Sequence, residues 1–409
     1  MPSVQPAASP SATAPPAAAV APVTPFAVRP WRVGVVAHML SAAAAWGIAV
    51  AAGYVVYQRT GSAVAVAVLT VAARVPGILL NLHSGAIADA LDVRVLTRWM
   101  TALQAVPAAA LAVLAWDGEL RTGEVYAGVA AISLLASVSG PCMQLEISAT
   151  LPESIRRGGI ALNNAAGYAA ALLGAAGAGW LLKVDGPRFV LALGAVLALA
   201  VAATFARFDA PPRPRVPHRP VRHTVTRVPG LGWWLAGTAA VLAFALEPLS
   251  HLAPAIAARH GSSPHLLGLY VGAIAAGSAI GALIVRELEA RQVPSLRVLP
   301  PVMAAAALLL LALAAWPSYG LALGTMVLVG VAWEVCALET LFALLPHAPE
   351  RRVGLGVGIW GAATAAGALL GSLVLARVMD DIGVDAALSA CAAAILLLAL
   401  AAARRARHA

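Results

Sequence analysis

From Trp31 to Ala403 the chain alternates between long apolar runs and short breaks rich in charge, proline or glycine. A helix needs roughly 20 predominantly apolar residues to cross the hydrocarbon core of a bilayer. Twelve runs meet that length, at 31–57, 63–87, 96–116, 124–148, 158–182, 187–207, 231–257, 265–286, 298–316, 320–345, 354–378 and 386–403. The pattern predicts an all-α membrane protein of twelve transmembrane helices, held by packing in lipid.

Composition excludes the soluble alternative. Only 11% of residues are charged and 61% are apolar, against about 25% charged in an ordinary soluble domain. Cys142, Cys336 and Cys391 all lie inside apolar runs, so neither a disulfide framework nor a metal site is predicted, and no cofactor. The net charge of +9 comes from arginines scattered among the breaks, not from one basic face, which argues against a nucleic-acid partner. Charge reports topology instead. Of the 27 basic residues, six (Arg59, Arg121, Lys183, Arg188, Arg259 and Arg377) fall in alternate breaks on one side and Arg74 lies within a run, leaving the other 20 on the opposite side. The positive-inside rule makes that side, and both termini, cytoplasmic. The expected location is a bacterial cytoplasmic (inner) membrane.

Residues 1–30 carry eight prolines and no charged side chain before Arg29. This is not the basic-then-apolar order of a secretory signal, and it predicts a disordered cytoplasmic tail. Residues 208–230 form a basic break that divides the helices six and six. They read as a linker between a 31–207 bundle and a 231–403 bundle, or as a patch for anionic lipid. Residues 404–409 are a short basic tail.

The two halves resemble each other. Arg59-Thr60-Gly61-Ser62 recurs as Arg259-His260-Gly261-Ser262, and Val93-Arg94-Val95-Leu96 is matched by Leu296-Arg297-Val298-Leu299. Pro152-Glu153 with Arg156-Arg157 is matched by Pro349-Glu350-Arg351-Arg352, and Ala171-Leu172-Leu173-Gly174 by Ala368-Leu369-Leu370-Gly371. Four collinear matches at nearly one offset argue for duplication. Two parallel six-helix repeats with a binding site between them near the midplane are the architecture of a transporter.

The break Gly85-Ala86-Ile87-Ala88-Asp89-Ala90-Leu91-Asp92-Val93-Arg94 resembles the signature loop of the major facilitator superfamily, and the resemblance extends over nearly the whole chain. It implies that Gly85, Asp89 and Arg94 form a cytoplasmic latch, with Asp89 facing the start of the eleventh helix and the basic residue pairing with acidic groups; Glu146 and Glu339, near cytoplasmic helix ends, are candidate gate ion-pair partners. Ala90 and Val93 stand where the family usually carries Arg or Lys, so Arg94 is left to act alone. Tyr57-Gln58-Arg59-Thr60-Gly61-Ser62, Arg74-Val75-Pro76-Gly77, and Leu151-Pro152-Glu153 followed by Asn163-Asn164 are similar to the branch that holds the enterobactin exporter and related siderophore exporters. That branch also contains drug-efflux members. In the family, helices 5 and 8, and 2 and 11, cross between the halves. The pairs Gly268/Gly272, Gly277/Gly281 and Gly367/Gly371, with Gly167, Gly174, Gly177 and Gly179 in the fifth run, are expected to line that moving interface.

Ionisable groups at bilayer depth are expensive and therefore functional candidates. Arg74 lies at the middle of the second run, Glu334 at the middle of the tenth, Glu247 in the seventh and Glu339 nearer the cytoplasm. His251 follows Glu247 by one turn, and Pro248 and Pro254 interrupt the backbone around them. An acid–His pair of this kind is a common proton relay. Arg74 is expected to pair with a carboxylate or with an anionic cargo group, or to serve as a structural strut. His38 and His83 read as packing residues. No G-x-x-x-x-G-K-[ST] run occurs, so ATP is not the expected energy source. Proton-coupled export of a small polar metabolite, foremost a siderophore, is the leading expectation, with the chain acting as a monomer. The alternatives are a multidrug antiporter and, from other classes, a membrane sensor or a membrane-embedded enzyme, for which no nucleophile–base or metal-ligand constellation is visible.

Overall fold

The computed structural model describes residues 24–90, 92–118, 120–208, 230–259, 263–315, 318–347 and 353–406. The described residues are helical almost throughout. In lipid every backbone N–H and C=O must be satisfied within its own segment, which a helix does and an irregular chain does not. The elements are α1 (Arg29–Thr60), α2 (Ala63–Ala90), α3 (Val93–Trp116), α4 (Thr122–Ala149), α5 (Glu153–Asp185), α6 (Pro187–Ala206), α7 (Gly230–Leu246), α8 (Pro248–His251), α9 (Ala253–Ala258), α10 (Pro264–Ala290), α11 (Ser295–Ala315), α12 (Tyr319–Leu344), α13 (Val353–Asp381) and α14 (Val384–Ala406). Eleven crossings are long and apolar enough by composition to span a membrane, and the 28-residue α2 supplies the twelfth.

Helix limits follow local chemistry. Proline opens α6, α8 and α10, where its missing N–H would have had no partner anyway. Gly61 closes α1 in the left-handed region, at φ 64°, and its N–H donates to the Tyr57 carbonyl at 2.8 Å. The seventh run is not one helix. Pro248 and Pro254 cannot donate to the preceding turn, and the crossing breaks into α7, α8 and α9 with Glu247 at the first junction. The α1 helix begins two residues before the expected segment, and Phe26 ahead of it stands edge-on to Trp31 at 5.2 Å. The expected tail lies outside the described residues up to position 23, as do 209–229 of the expected linker. Exposed tryptophans sit near helix ends, at Trp99, Trp116, Trp180 and Trp233, where interfacial aromatics belong.

The packing repeats between the halves. In the first, α1 packs on α5, α2 on α4 and α3 on α6; in the second, the seventh crossing packs on α13, α10 on α12 and α11 on α14. The halves meet along α5 with α10 and along α2 with α13. Close approach at the first seam is glycine-dependent: a Cβ on Gly179 would lie 2.8 Å from the Gly268 Cα and from the Pro264 carbonyl. The other glycine pairs do not serve the seam as expected. Gly277 and Gly281 face Val327, Val331 and Glu334 of α12, and Gly367 and Gly371 face Ala240 and Phe244 of α7, all within the second half. Spacing identifies a face that permits close approach; it does not identify the neighbour.

The second seam is closed by a capping contact. Asp380, at the end of α13, accepts from Ser62 Oγ at 2.6 Å, from the Ala63 N–H at 2.8 Å and from the Val64 N–H at 3.1 Å. A carboxylate from one half thus satisfies the free N–H groups that begin a helix of the other and faces the positive end of its dipole. Replacing a capping acceptor with alanine costs roughly 0.5–2 kcal/mol. Asp380→Ala is therefore expected to shift the population toward separation at this end by a factor of about 2 to 30. Spin labels at Arg59 and Ile382 should report a longer or broader distance distribution in the variant; an unchanged distribution would show that the cap holds nothing shut.

Candidate functional site

The broken seventh crossing makes the site. With the helix interrupted at Pro248, Glu247 sits at a junction instead of on a continuous face, and Ser250 Oγ donates to its carbonyl at 2.8 Å. Its carboxylate pairs with Arg74 of α2, from the other half, through Arg74 Nη2 and Glu247 Oε1. Arg74 Nη2 also lies 3.4 Å from His251 Nε2. A guanidinium has no acceptor, so here Arg74 donates and His251 accepts through Nε2, which places the imidazole proton on Nδ1. Glu247 and His251 are one turn apart but 4.0 Å from each other, so it is Arg74 that links them.

Near Arg74 lies Tyr168 of α5, whose hydroxyl stands beside Glu334 of α12. This second contact also crosses between the halves. Glu334 is buried, its Cβ close to the bare face of Gly281. The result is a connected line, His251–Arg74–Glu247 beside Tyr168–Glu334, drawn alternately from the two bundles.

This line borders a cavity of about 380 Å³ lined by His38, Trp46, Gln144, Asn164, Tyr168 and Trp333 as well as Arg74, Glu247 and His251. Gln144 bridges His38, at 3.4 Å from Nε2, and Asn163, which donates to it at 2.8 Å. Arg74, Glu247 and His251 keep 34%, 14% and 25% of their side-chain surface open to it, so a ligand can reach the pair without unfolding a helix. A second cavity of about 290 Å³ lies mostly among α1, α2, α3, α4 and α6, and the second half completes its wall with Ser250, His251, Pro254, Leu267 and Val271. The two share Trp46, Ser250 and His251.

The sequence-predicted residues separate into three places. Arg74, Glu247, His251 and Glu334 come together. Glu339 does not join them: it is hydrogen-bonded to Ser295 and near Glu289, within the second half. Arg94 and Glu146 form an ion pair at 3.7 Å between the start of α3 and the end of α4. The α2 backbone continues through Gly85 and Asp89, but their side chains, and that of His83, lie outside the described residues. Sequence reading missed Tyr168, Trp46 and Trp333, and took His38 for packing although it lines the cavity. The available signal was the position of Tyr168 one turn from Asn164, in a stretch, Ala165–Ala171, otherwise made only of alanine and glycine.

Leaving one charge of an ion pair inside a membrane protein without its partner costs free energy that removing both charges avoids. Arg74→Gln and Glu247→Gln are each expected to lower thermal stability strongly, and the double variant to regain most of the loss. Additive losses in the three variants would show that the two groups do not interact.

Comparison with known proteins fits this geometry. No curated protein matches the sequence. Among solved structures the chain is similar to a POT family transporter, PepTSo (13% identity, 93% of this chain and 98% of that one, TM-score 0.73). It is similar to a bacterial homolog of the human lysosomal transporter Spinster, in an inward-facing and occupied conformation (15%, 93% and 98%, TM-score 0.70), and to the nucleoside transporter NupG (13%, 92% and 98%, TM-score 0.66). At such identities these likenesses establish the fold. The family model described as Major Facilitator Superfamily matches residues 34–348, and with that match over most of its length the chain belongs to the Major Facilitator Superfamily, as a multi-pass transporter of small molecules and not an enzyme.

Proposed function

We propose that the protein is a proton-coupled exporter of a small polar metabolite, foremost of the siderophore type, working by alternating access in a bacterial inner membrane with both termini cytoplasmic. The observation that carries this reading is the Arg74–Glu247 pair: a charge pair made between the two halves, at the wall of a cavity both halves line. Any event that neutralises one member weakens the attraction between the bundles. Each chain holds a complete cavity, which supports a monomer as the working unit.

The sign of coupling depends on which charge the cargo meets. Anionic oxygens that take Arg74 displace Glu247, and a displaced buried carboxylate takes up a proton; cargo and proton then load together, which suits import. Hydroxyl or ammonium donors that face Glu247 or Glu334 stabilise the ionised form, so loading releases a proton and acid expels the cargo. The second case gives exchange. On the less acidic cytoplasmic side the carboxylates stand ionised and accept the donors; on the more acidic outer side protonation discharges them. Un-ionised catechol hydroxyls, whose phenolic protons stay on near pH 7, have the donor chemistry that exchange requires. Glu247, which lines the cavity, is the acceptor a cargo meets directly; Glu334 is buried beside Tyr168.

Glu247→Gln and Glu334→Gln keep shape but cannot titrate. Each is expected to lower pH-gradient-driven accumulation of iron-free enterobactin in everted vesicles at least tenfold while the protein stays in the membrane. Calorimetry in buffers of different ionisation enthalpy should show proton release on binding to the wild type. Wild-type transport rates in both variants, or proton uptake on binding, would overturn the exchange mechanism.

A further inference from the structure

The second cavity is built from absences. Its walls carry Ala45 and Ala49 of α1, Ala73 of α2, Ala136 of α4 and Ala198 of α6, where larger apolar side chains would fill the interior. Ala45 and Ala49 remain exposed although α1 packs on α2, α4, α5 and α6; the surface they show faces this chamber. An unfilled apolar space forfeits the dispersion contacts its lining would otherwise make, so a chamber of about 290 Å³ is costly unless something enters it.

Two of the polar groups in its wall are already engaged with the protein. Thr101 donates to the Thr97 carbonyl at 2.8 Å and Gln104 donates to Ser139 at 2.9 Å. What the chamber mainly offers is apolar surface from Val66, Leu69, Val129 and Ile132. At one end it opens on the charged cavity through Trp46, Ser250 and His251, which line both. A molecule with donors at Glu247 therefore has an apolar compartment beside it, walled mainly by the first bundle and closed on the second-half side by Pro254, Leu267 and Val271.

We propose that the cargo is amphipathic: its polar, hydrogen-bond-donating head occupies the charged cavity and an apolar arm enters the chamber between α1, α2, α3, α4 and α6. This rests on the reading of the Arg74–Glu247 cavity as the cargo site. A cargo so held contacts both halves, its arm chiefly the first bundle and its head the Arg74–Glu247 pair.

The test uses 4-alkylcatechols, from methyl through butyl to octyl, binding to the full chain in lipid nanodiscs, with empty nanodiscs and the dimethoxy analogues correcting for partition into lipid. Burial of each methylene should tighten binding roughly fourfold until the chamber is full, and the dimethoxy analogues, lacking donors, should bind far more weakly. Ala49→Phe and Ala136→Phe, each checked for wild-type thermal stability, fill the chamber from two helices and should bind the octyl probe no tighter than the methyl one. Chain-length-independent binding to the wild type, or a length dependence that survives in both filled variants, overturns the chamber as a subsite. If in that case Glu247→Gln still weakens every member of the series, the cargo site itself stands. If Glu247→Gln changes none of the affinities, both the chamber and the reading it rests on are overturned.

Discussion

One cation in the wrong solvent organises this molecule. Arg74 is the only basic side chain placed at mid-depth of a spanning helix, and at such depth an unpaired arginine costs at least ~2.5 kcal/mol. Its partners come from a crossing of the other half that is broken at Pro248, with Glu247 at the junction and His251 at the end of the short α8. Had Arg74 been paired within its own bundle it would have been a strut, indifferent to how the halves stand. Because the pair lies across them, its charge state and their arrangement are coupled, and a proton or a cargo donor acting on Glu247 acts on the whole molecule.

Three kinds of contact share the work of holding the halves, and they differ in what can undo them. The Gly179–Gly268 approach is dispersion between backbones; it is short-ranged and insensitive to pH. The Asp380 cap on α2 is a set of hydrogen bonds to a helix terminus at the end of the bundle, open to competition from water. The central pair and the Tyr168–Glu334 contact lie inside the molecule and carry titratable groups. A charge change there would remove one attraction between the halves and leave the packing of α5 on α10 and the Asp380 cap in place.

Much of the fold was legible because lipid punishes exceptions. Twelve apolar runs, and a handful of charges inside them, follow from composition read along the chain, and four of the five residues singled out at depth, Arg74, Glu247, His251 and Glu334, meet at one place. The rest was not legible for identifiable reasons. Tyr168, Trp46 and His38 carry no cost in a membrane helix that marks them as exceptional. The glycine spacings of α10 and α13 were read correctly as close-packing faces, but a face does not name its partner, and Gly367 and Gly371 turned to α7. Glu339 shares the apolar run of Glu334 but stands nearer its cytoplasmic end, and it lies with Ser295 and Glu289; five residues along a helix is nearly one and a half turns, enough to carry a side chain to another face. The chamber walled mainly by the first bundle is an arrangement of alanines, and in a chain so rich in alanine, voids leave no pattern.

Duplication explains the frame but not the chemistry. The helix pairing of the first bundle is reproduced in the second, and the α5 and α13 segments match at an offset of 197 residues. At that same offset Lys183 corresponds to Asp380: an acid caps a helix of the opposite half at one seam, while at the equivalent position of the other seam stands a base, and closure there rests on Gly179 and Gly268. The centre is equally uneven. The 200-residue offset that relates the starts of α2 and α10 carries Arg74 to Ile274, and the 197-residue offset carries Glu334 back to Ser137. A cation on one half facing carboxylates on the other can attract across the seam; two identical halves would have faced like with like. The repeat supplies two bundles able to rock, and its divergence at a few buried positions supplies the charge difference that gives the rocking something to respond to.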